Sequence, residues 1–216
     1  MILEDFVMLG KTAPETDRQG RVTVCSAGWS PELRQLIRIY PLAEKNCPPD
    51  FSVSRVRLER NHKDSRGESW KIAGDRSVDV HERINSRFDV LGILNNRKGV
   101  LDDIPAVSSI KEANSRRLSL AVIQPELPPK FYLEFNKKRK SGVGTKSYEY
   151  VPRVKFSLGP STHRLKYLNQ SVYQYLGKNM SNLGLLQIKE SFKTNPKLLI
   201  GNMFAYRNNW LVISKL

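Results

Sequence analysis

Cysteine is nearly missing from this chain: Cys25 and Cys47 are its two thiols in 216 residues. Two cysteines cannot build a disulfide framework, which excludes a small, stapled, secreted scaffold. Cys25 falls inside a strand-like run and is expected to be a buried free thiol, as suits a reducing compartment. Long apolar runs are missing as well, and no stretch approaches the ~20 residues that a membrane-spanning helix needs. The opening residues, M-I-L-E-D-F-V-M-L-G-K-T, lack a basic leader, and Glu4 and Asp5 interrupt their apolar positions. They read as a first strand, not a signal peptide, and the expected location is cytoplasmic. No basic amphipathic helix shows a clean apolar face, so a membrane partner is not expected.

Acidic charge is scarce. Lys and Arg number 36 against 21 Asp and Glu, a formal net charge of +15. Solubility alone asks for a magnitude of only about 2–8 in a small domain. A phosphate backbone is the commonest partner of such a surface. Catalytic signatures are absent too: there is no G-x-S-x-G, P-loop, dinucleotide fingerprint or Ser/His/Asp order.

What is present is a series of strand-like runs. Ile2–Leu9, Arg21–Ala27, Gln35–Tyr40 and Phe51–Arg60 are apolar or alternate with period 2, and Gly, Pro and Asn separate them. Pro41 is expected to end the third run. The apolar phase changes near Ser54, which predicts a β-bulge there, a device that curls sheets into barrels. Val80–Leu94 reads as a helix, with Ile84, Phe88 and Leu91 at helical spacing. Lys111–Arg116 reads as a linker, because the hydrophobic pattern restarts after it. Leu118–Ile123, Phe131–Phe135 and Tyr148–Leu158 are expected strands, Leu165–Leu176 an expected helix, and Leu198–Tyr206 with Trp210–Ile213 a hairpin.

The fold expected is therefore β-rich α+β, with two small barrel-like lobes, each carrying a packed helix. The division falls near residue 114, giving lobes 1–114 and 115–216.

The chemistry-bearing residues are mostly basic. Arg38, Arg55, Arg57 and Arg60 fall in the third and fourth runs and could offer a face to a nucleic-acid backbone, with Tyr40 as a stacking ring. If Arg38 is buried instead, it needs a partner such as Glu59 or Glu68. Lys137, Lys138, Arg139, Lys140 and Lys146 sit in one segment, Asn136–Lys146, that has no apolar period. It is expected to be a mobile electrostatic clamp. D-S-R-G-E-S at Asp64–Ser69 brings two carboxylates near His62, yet a metal site would need a third ligand, so no metal is assigned.

V-C-S-A-G-x-S at Val24–Ser30, L-I-R-I-Y-P at Leu36–Pro41 and S-R-V-x-L-E-R-N-x-K-D-S-R-x-E-S at Ser54–Ser69 together resemble a poorly characterised prokaryotic family of dual-OB proteins. V-P-R-V-K-F and G-N-M-F-A-Y-R-N-N-W-L-V-I match it more loosely. The resemblance implies two OB-like barrels and association with nucleic acid. Such proteins often carry a cysteine–histidine cluster after an aromatic, basic strand. Lys155–His163 keeps His163 but has no cysteine, so no zinc is carried over.

The expected function is non-enzymatic binding of DNA or RNA, as a subunit of a nucleic-acid-processing or defence complex that contains other proteins. No cofactor is expected. The other classes are a metal-dependent nuclease working through Asp64–Glu68, and a protein–protein adaptor for an acidic partner.

Overall fold

The structure, a computed structural model, describes residues 1–16, 20–44, 47–73, 78–79, 101–177 and 182–216. The helix expected at Val80–Leu94 lies outside these.

The N-terminal strands are β1 (Ile2–Lys11), β2 (Glu15–Thr16), β3 (Val22–Ser30), β4 (Gln35–Ala43), β5 (Val53–Arg60), β6 (Ser69–Ile72) and β7 (Val78–Asp79). They form one sheet, in which five strands close on themselves in the order β1-β3-β4-β6-β5 and back to β1. All pairings in this ring are antiparallel except β4 with β6. Leu3, Phe6, Met8, Val24, Ile37, Ile39, Val56 and Leu58 fill the barrel.

Three irregularities let these strands curl: one lies on the β1–β3 pairing between Met8 and Gly10, and the other two bear on the sequence reading. The extra residue that corrects the phase at Ser54 lies on β1, where Leu3 pairs Val56 but Phe6 pairs Ser54. Leu3 and Phe6 thus both point inward, and β5 itself keeps period 2. The third irregularity sets Val24 against Leu42 and Ser26 against Ile39, placing the extra residue of β4 at Tyr40–Pro41. A strand proline is tolerated at a bulge. β4 therefore does not end before Pro41 but runs on to Ala43.

The rest of the chain supplies β8 (Ala106–Val107), α1 (Ile110–Ser115), β9 (Leu120–Ile123), β10 (Lys130–Phe135), β11 (Tyr150–Leu158), β12 (Ser161–Lys166), α2 (Gln170–Gly177), α3 (Asn182–Glu190), β13 (Leu198–Asn202) and β14 (Trp210–Lys215). Where a second barrel is expected, the described residues form two sheets, β10-β11-β12 and β14-β13-β9-β8. Phe131, Val154, Phe156, Val172, Phe192, Leu198, Ile200 and Val212 pack between them and the helices.

The expected linker at Lys111–Arg116 is mostly the helix α1. Ser109 Oγ caps it by accepting from Glu112 N at 3.0 Å, and Ser108 donates back to the Glu112 carboxylate. Six residues are too few to show an apolar period, so the cap is the only local signal. Because β8 pairs with β9, residues before 114 already belong to the C-terminal sheet.

The two halves meet along a shared apolar wall. A third apolar cluster joins Val7, Leu9, Ala27, Trp29 and Leu36 of the barrel wall to Leu120, Val122, Leu199 and Ile213 of the C-terminal sheet.

Candidate nucleic-acid interface

Arg38 does not share a surface with the other arginines of the barrel. Arg38 alternates with Ile37 and Ile39, which face the barrel interior, so its side chain leaves the barrel on the wall that meets the C-terminal sheet. It is 4% exposed. Its guanidinium donates to Ser119 O at 2.6 Å and to Cys25 Sγ at 3.1 Å. A Cβ on Gly201 would stand 3.1 Å from the same guanidinium and 2.7 Å from the Ile213 side chain, so a larger residue there would make both give way. The sequence reading of Arg38 as a phosphate contact is corrected: it is a buried tie between the halves, held by a carbonyl instead of Glu59 or Glu68. Cys25 is likewise only half-buried, since it faces this wall and not the barrel interior.

Arg55 pairs with Glu4 at 3.1 Å on the outer side of β5. Arg57 is exposed on the same side. Arg60 is exposed and stacks on Trp70, its guanidinium carbon 3.9 Å from the ring centre.

The Asp64–Ser69 loop is a latch. Asp64 and Arg66, each 8% exposed, form a fork-like pair with two contacts at 2.8 Å from Arg66 Nε, and Ser69 Oγ donates to Asp64 at 2.7 Å. Arg66 Nη1 donates across to Asn202 O at 3.0 Å. Glu68 accepts from Ser119 N at 2.9 Å and Ser119 Oγ at 3.1 Å. Burial works against the Asp64 carboxylate, but the hydrogen bonds from Arg66 and Ser69 outweigh it and hold its pKa below the usual range. Both carboxylates are thus engaged within the fold. Among the described residues no group of three or more His, Cys, Asp and Glu side chains could hold a metal. His163 packs its ring 5.3 Å from Phe156, and burial lowers its pKa.

The β10-β11-β12 sheet is different. Phe131, Val154 and Phe156 are buried in the core, so the residues between them face the other way. Register then aligns two rows across the three strands: Lys130–Lys155–Arg164, and Tyr132–Arg153–Lys166. Lys130, Lys155, Arg164 and Lys166 are exposed. Successive rows on one strand lie ~6.6 Å apart, two residues of extended chain.

Beyond the second row the β10–β11 connection and the sheet line an open cavity of about 550 Å³. Lys137, Lys138, Lys140, Lys146, Arg153 and Lys166 line it, with Glu134 as the single carboxylate among the described residues. Glu134 contacts Arg153. Among the described residues no carboxylate lies within ion-pair distance of the five lysines. Phe135, 58% exposed, and the fully buried Tyr173 of α2 also line it.

The connection is folded, in contrast to the mobile clamp expected. Asn136 Nδ2 donates to Tyr148 O at 2.9 Å and Lys146 O at 3.2 Å, while its Oδ1 accepts from Lys138 N. Lys140 N donates to Lys146 O at 2.9 Å, and Arg139 Nε to Ser147 O at 3.0 Å. Glu15 of the barrel accepts from Thr145 N at 2.9 Å. Gly144, at φ 112°, meets that carboxylate so closely that a Cβ would stand 2.3 Å from it. These bonds hold the backbone while all five basic side chains stay exposed.

The loop cations were legible from composition. Lys130, Arg153, Lys155, Arg164 and Lys166 were missed, although charge at every second position of V-P-R-V-K-F and H-R-L-K was the signal.

Residues 3–100 match a family described as Domain of unknown function (DUF8758). No curated protein matches the chain.

Proposed function

We propose that this protein binds nucleic acid, without catalysing a reaction, along the outer face of β10-β11-β12 and under the Asn136–Lys146 loop. The observation that carries the reading is the two cross-strand rows of cations leading to a cavity with six cations and one carboxylate. Cations held near one another without carboxylates gain affinity by releasing counterions from a phosphate backbone. Tyr132 and Phe135 add rings on which bases can stack.

The barrel supports the reading indirectly. Its five closing strands run 1-2-3-5-4-1 when numbered by themselves, with the third and fifth parallel, the order of an OB barrel. OB barrels commonly take ligand on strands 2–3 and the loops after strands 1 and 4. In this chain the outer side of β3 and β4 packs on the C-terminal sheet, and the loop after β5 is the latch. We assign the barrel a supporting role and the strand-binding role to the β10-β11-β12 sheet. The protein partners expected from the sequence would find exposed apolar contact at Met203, Phe204 and Tyr206, on the β13–β14 hairpin.

Fluorescence anisotropy of labelled DNA and RNA oligonucleotides across a salt series tests the proposal. The logarithm of affinity should fall linearly with the logarithm of salt, by roughly 0.7–0.9 per phosphate engaged. A flat response, or no binding at low salt, would overturn it.

A further inference from the structure

The cavity under the β10–β11 loop has a feature that a plain electrostatic track does not need. Tyr173 is 0% exposed, lines the cavity, and its hydroxyl has no hydrogen-bond partner among the described residues. Its ring is fixed edge-on against Tyr148, with centroids 4.9 Å apart. Burying a hydroxyl without a partner costs on the order of 1–3 kcal/mol in a folded protein. A phenylalanine would pack the same ring without that cost, so the hydroxyl is best explained by something it donates to. Burial, with Glu15 and Tyr148 nearby, pushes the phenol pKa up and keeps it a neutral donor at pH 7. Arg153 stands beside it, with its Nε held against a Glu134 carboxylate oxygen at 2.5 Å.

We infer that this cavity binds a phosphate monoester, with the Tyr173 hydroxyl as donor and Arg153, Lys140, Lys146 and Lys166 as counter-charges. The inference rests on the nucleic-acid reading and names its occupant as a strand end. A monoester carries a charge of about −1.5 to −2 at neutral pH, against −1 for a diester within a strand, and offers three acceptor oxygens. Six cations against one carboxylate suit the greater charge, and about 550 Å³ falls within the ~300–1,000 Å³ of pockets that take small ligands. The same chemistry occurs on a free mononucleotide.

Isothermal titration with one oligonucleotide in three forms, 5′-phosphorylated, 3′-phosphorylated and unphosphorylated, tests this. One phosphorylated form should bind about tenfold tighter than the unphosphorylated form, as an added charge-assisted contact would give. A nucleoside monophosphate that binds as tightly as that strand would support the cavity and assign it to the free nucleotide. Tyr173→Phe should reduce the preference to within about twofold without lowering the melting temperature. If that variant does not fold, Lys140→Gln with Lys166→Gln should reduce the preference instead. Equal, steeply salt-dependent affinity for all three forms would overturn the cavity and leave the binding surface standing. No binding of any form would overturn both.

Discussion

Arginine does opposite work at two places in this molecule. At the junction of barrel and C-terminal sheet, Arg38 and Arg66 are buried and their guanidinium groups are taken up by Ser119, Asn202 and Asp64. On the β10-β11-β12 face, Arg164 and the lysines around it are exposed, and among the described residues they have no carboxylate partner. A net charge of +15 therefore describes no single surface. A buried guanidinium with a carbonyl partner fixes the fold, whereas an exposed ammonium beside others of its sign is available to a polyanion.

The comparison breaks most visibly at the latch. Arg66→Ala leaves Asp64 as a buried, unpaired carboxylate, and such losses typically cost about 3–5 kcal/mol. At roughly 2–4 °C per kcal/mol for a chain of this size, the melting temperature should drop by on the order of 10 °C or more in a thermal scan. Oligonucleotide affinity, measured below the transition, should stay close to wild type. The same site predicts a pH dependence. The Asp64 pKa is depressed on folding, so its contribution to stability is full above the unfolded value of about 3.9 and is lost as pH falls through the folded value. Asp64→Asn should remove that part of the acid sensitivity in denaturation curves taken from pH 6 down to pH 2.

The opposite result is expected on the sheet. Lys155→Glu, Arg164→Glu and Lys166→Glu together should weaken oligonucleotide binding by about a hundredfold or more at low salt and flatten the salt slope. Thermal stability should change by less than ~1 kcal/mol, because none of the three has an ion-pair partner to lose among the described residues. A large drop in melting temperature with affinity intact would place the binding surface elsewhere.

A smaller effect should follow from changing Lys137, Lys138, Arg139 and Lys140 to serine. Affinity should fall by a few-fold for every sequence, since these side chains reach the phosphates from a loop and not from the strands. Thermal stability should fall by about 1 kcal/mol or less, because Arg139 Nε gives up one exposed bond to Ser147. Smallest of all should be Arg57→Gln with Arg60→Gln, on the barrel. Affinity within about twofold of wild type in the same anisotropy assay would confine the polyanion site to the β10-β11-β12 sheet and its loop. A slope change equal to that of the sheet variants would extend the site onto the barrel.

The barrel was legible because its strands obey period 2 and their punctuation is Gly, Pro and Asn. Its bulges were half legible: the phase change at Ser54 was visible, but only pairing shows that the extra residue belongs to β1. The buried outer wall also left a trace. Phe6-Val7-Met8-Leu9 is apolar without interruption, as expected of a strand buried on both faces, and Trp29 and Leu36 extend the same pattern. Arg38 was misjudged because its partner, the Ser119 carbonyl, lies 81 residues away and no local rule points to it. The cationic rows were missed for the related reason that a cross-strand row exists only once Lys130, Lys155 and Arg164 are in register.

The wall shared by the two halves also sets an order of events during synthesis. The barrel strands are complete once Ile72 has left the ribosome, but the residues that cover Val7, Leu9, Ala27, Trp29 and Leu36 include Leu199 and Ile213. At ~5–20 residues per second, the nascent barrel carries a bare apolar flank for on the order of 10 s before its cover is made. During that interval the flank is open to holdase chaperones and to neighbouring nascent chains.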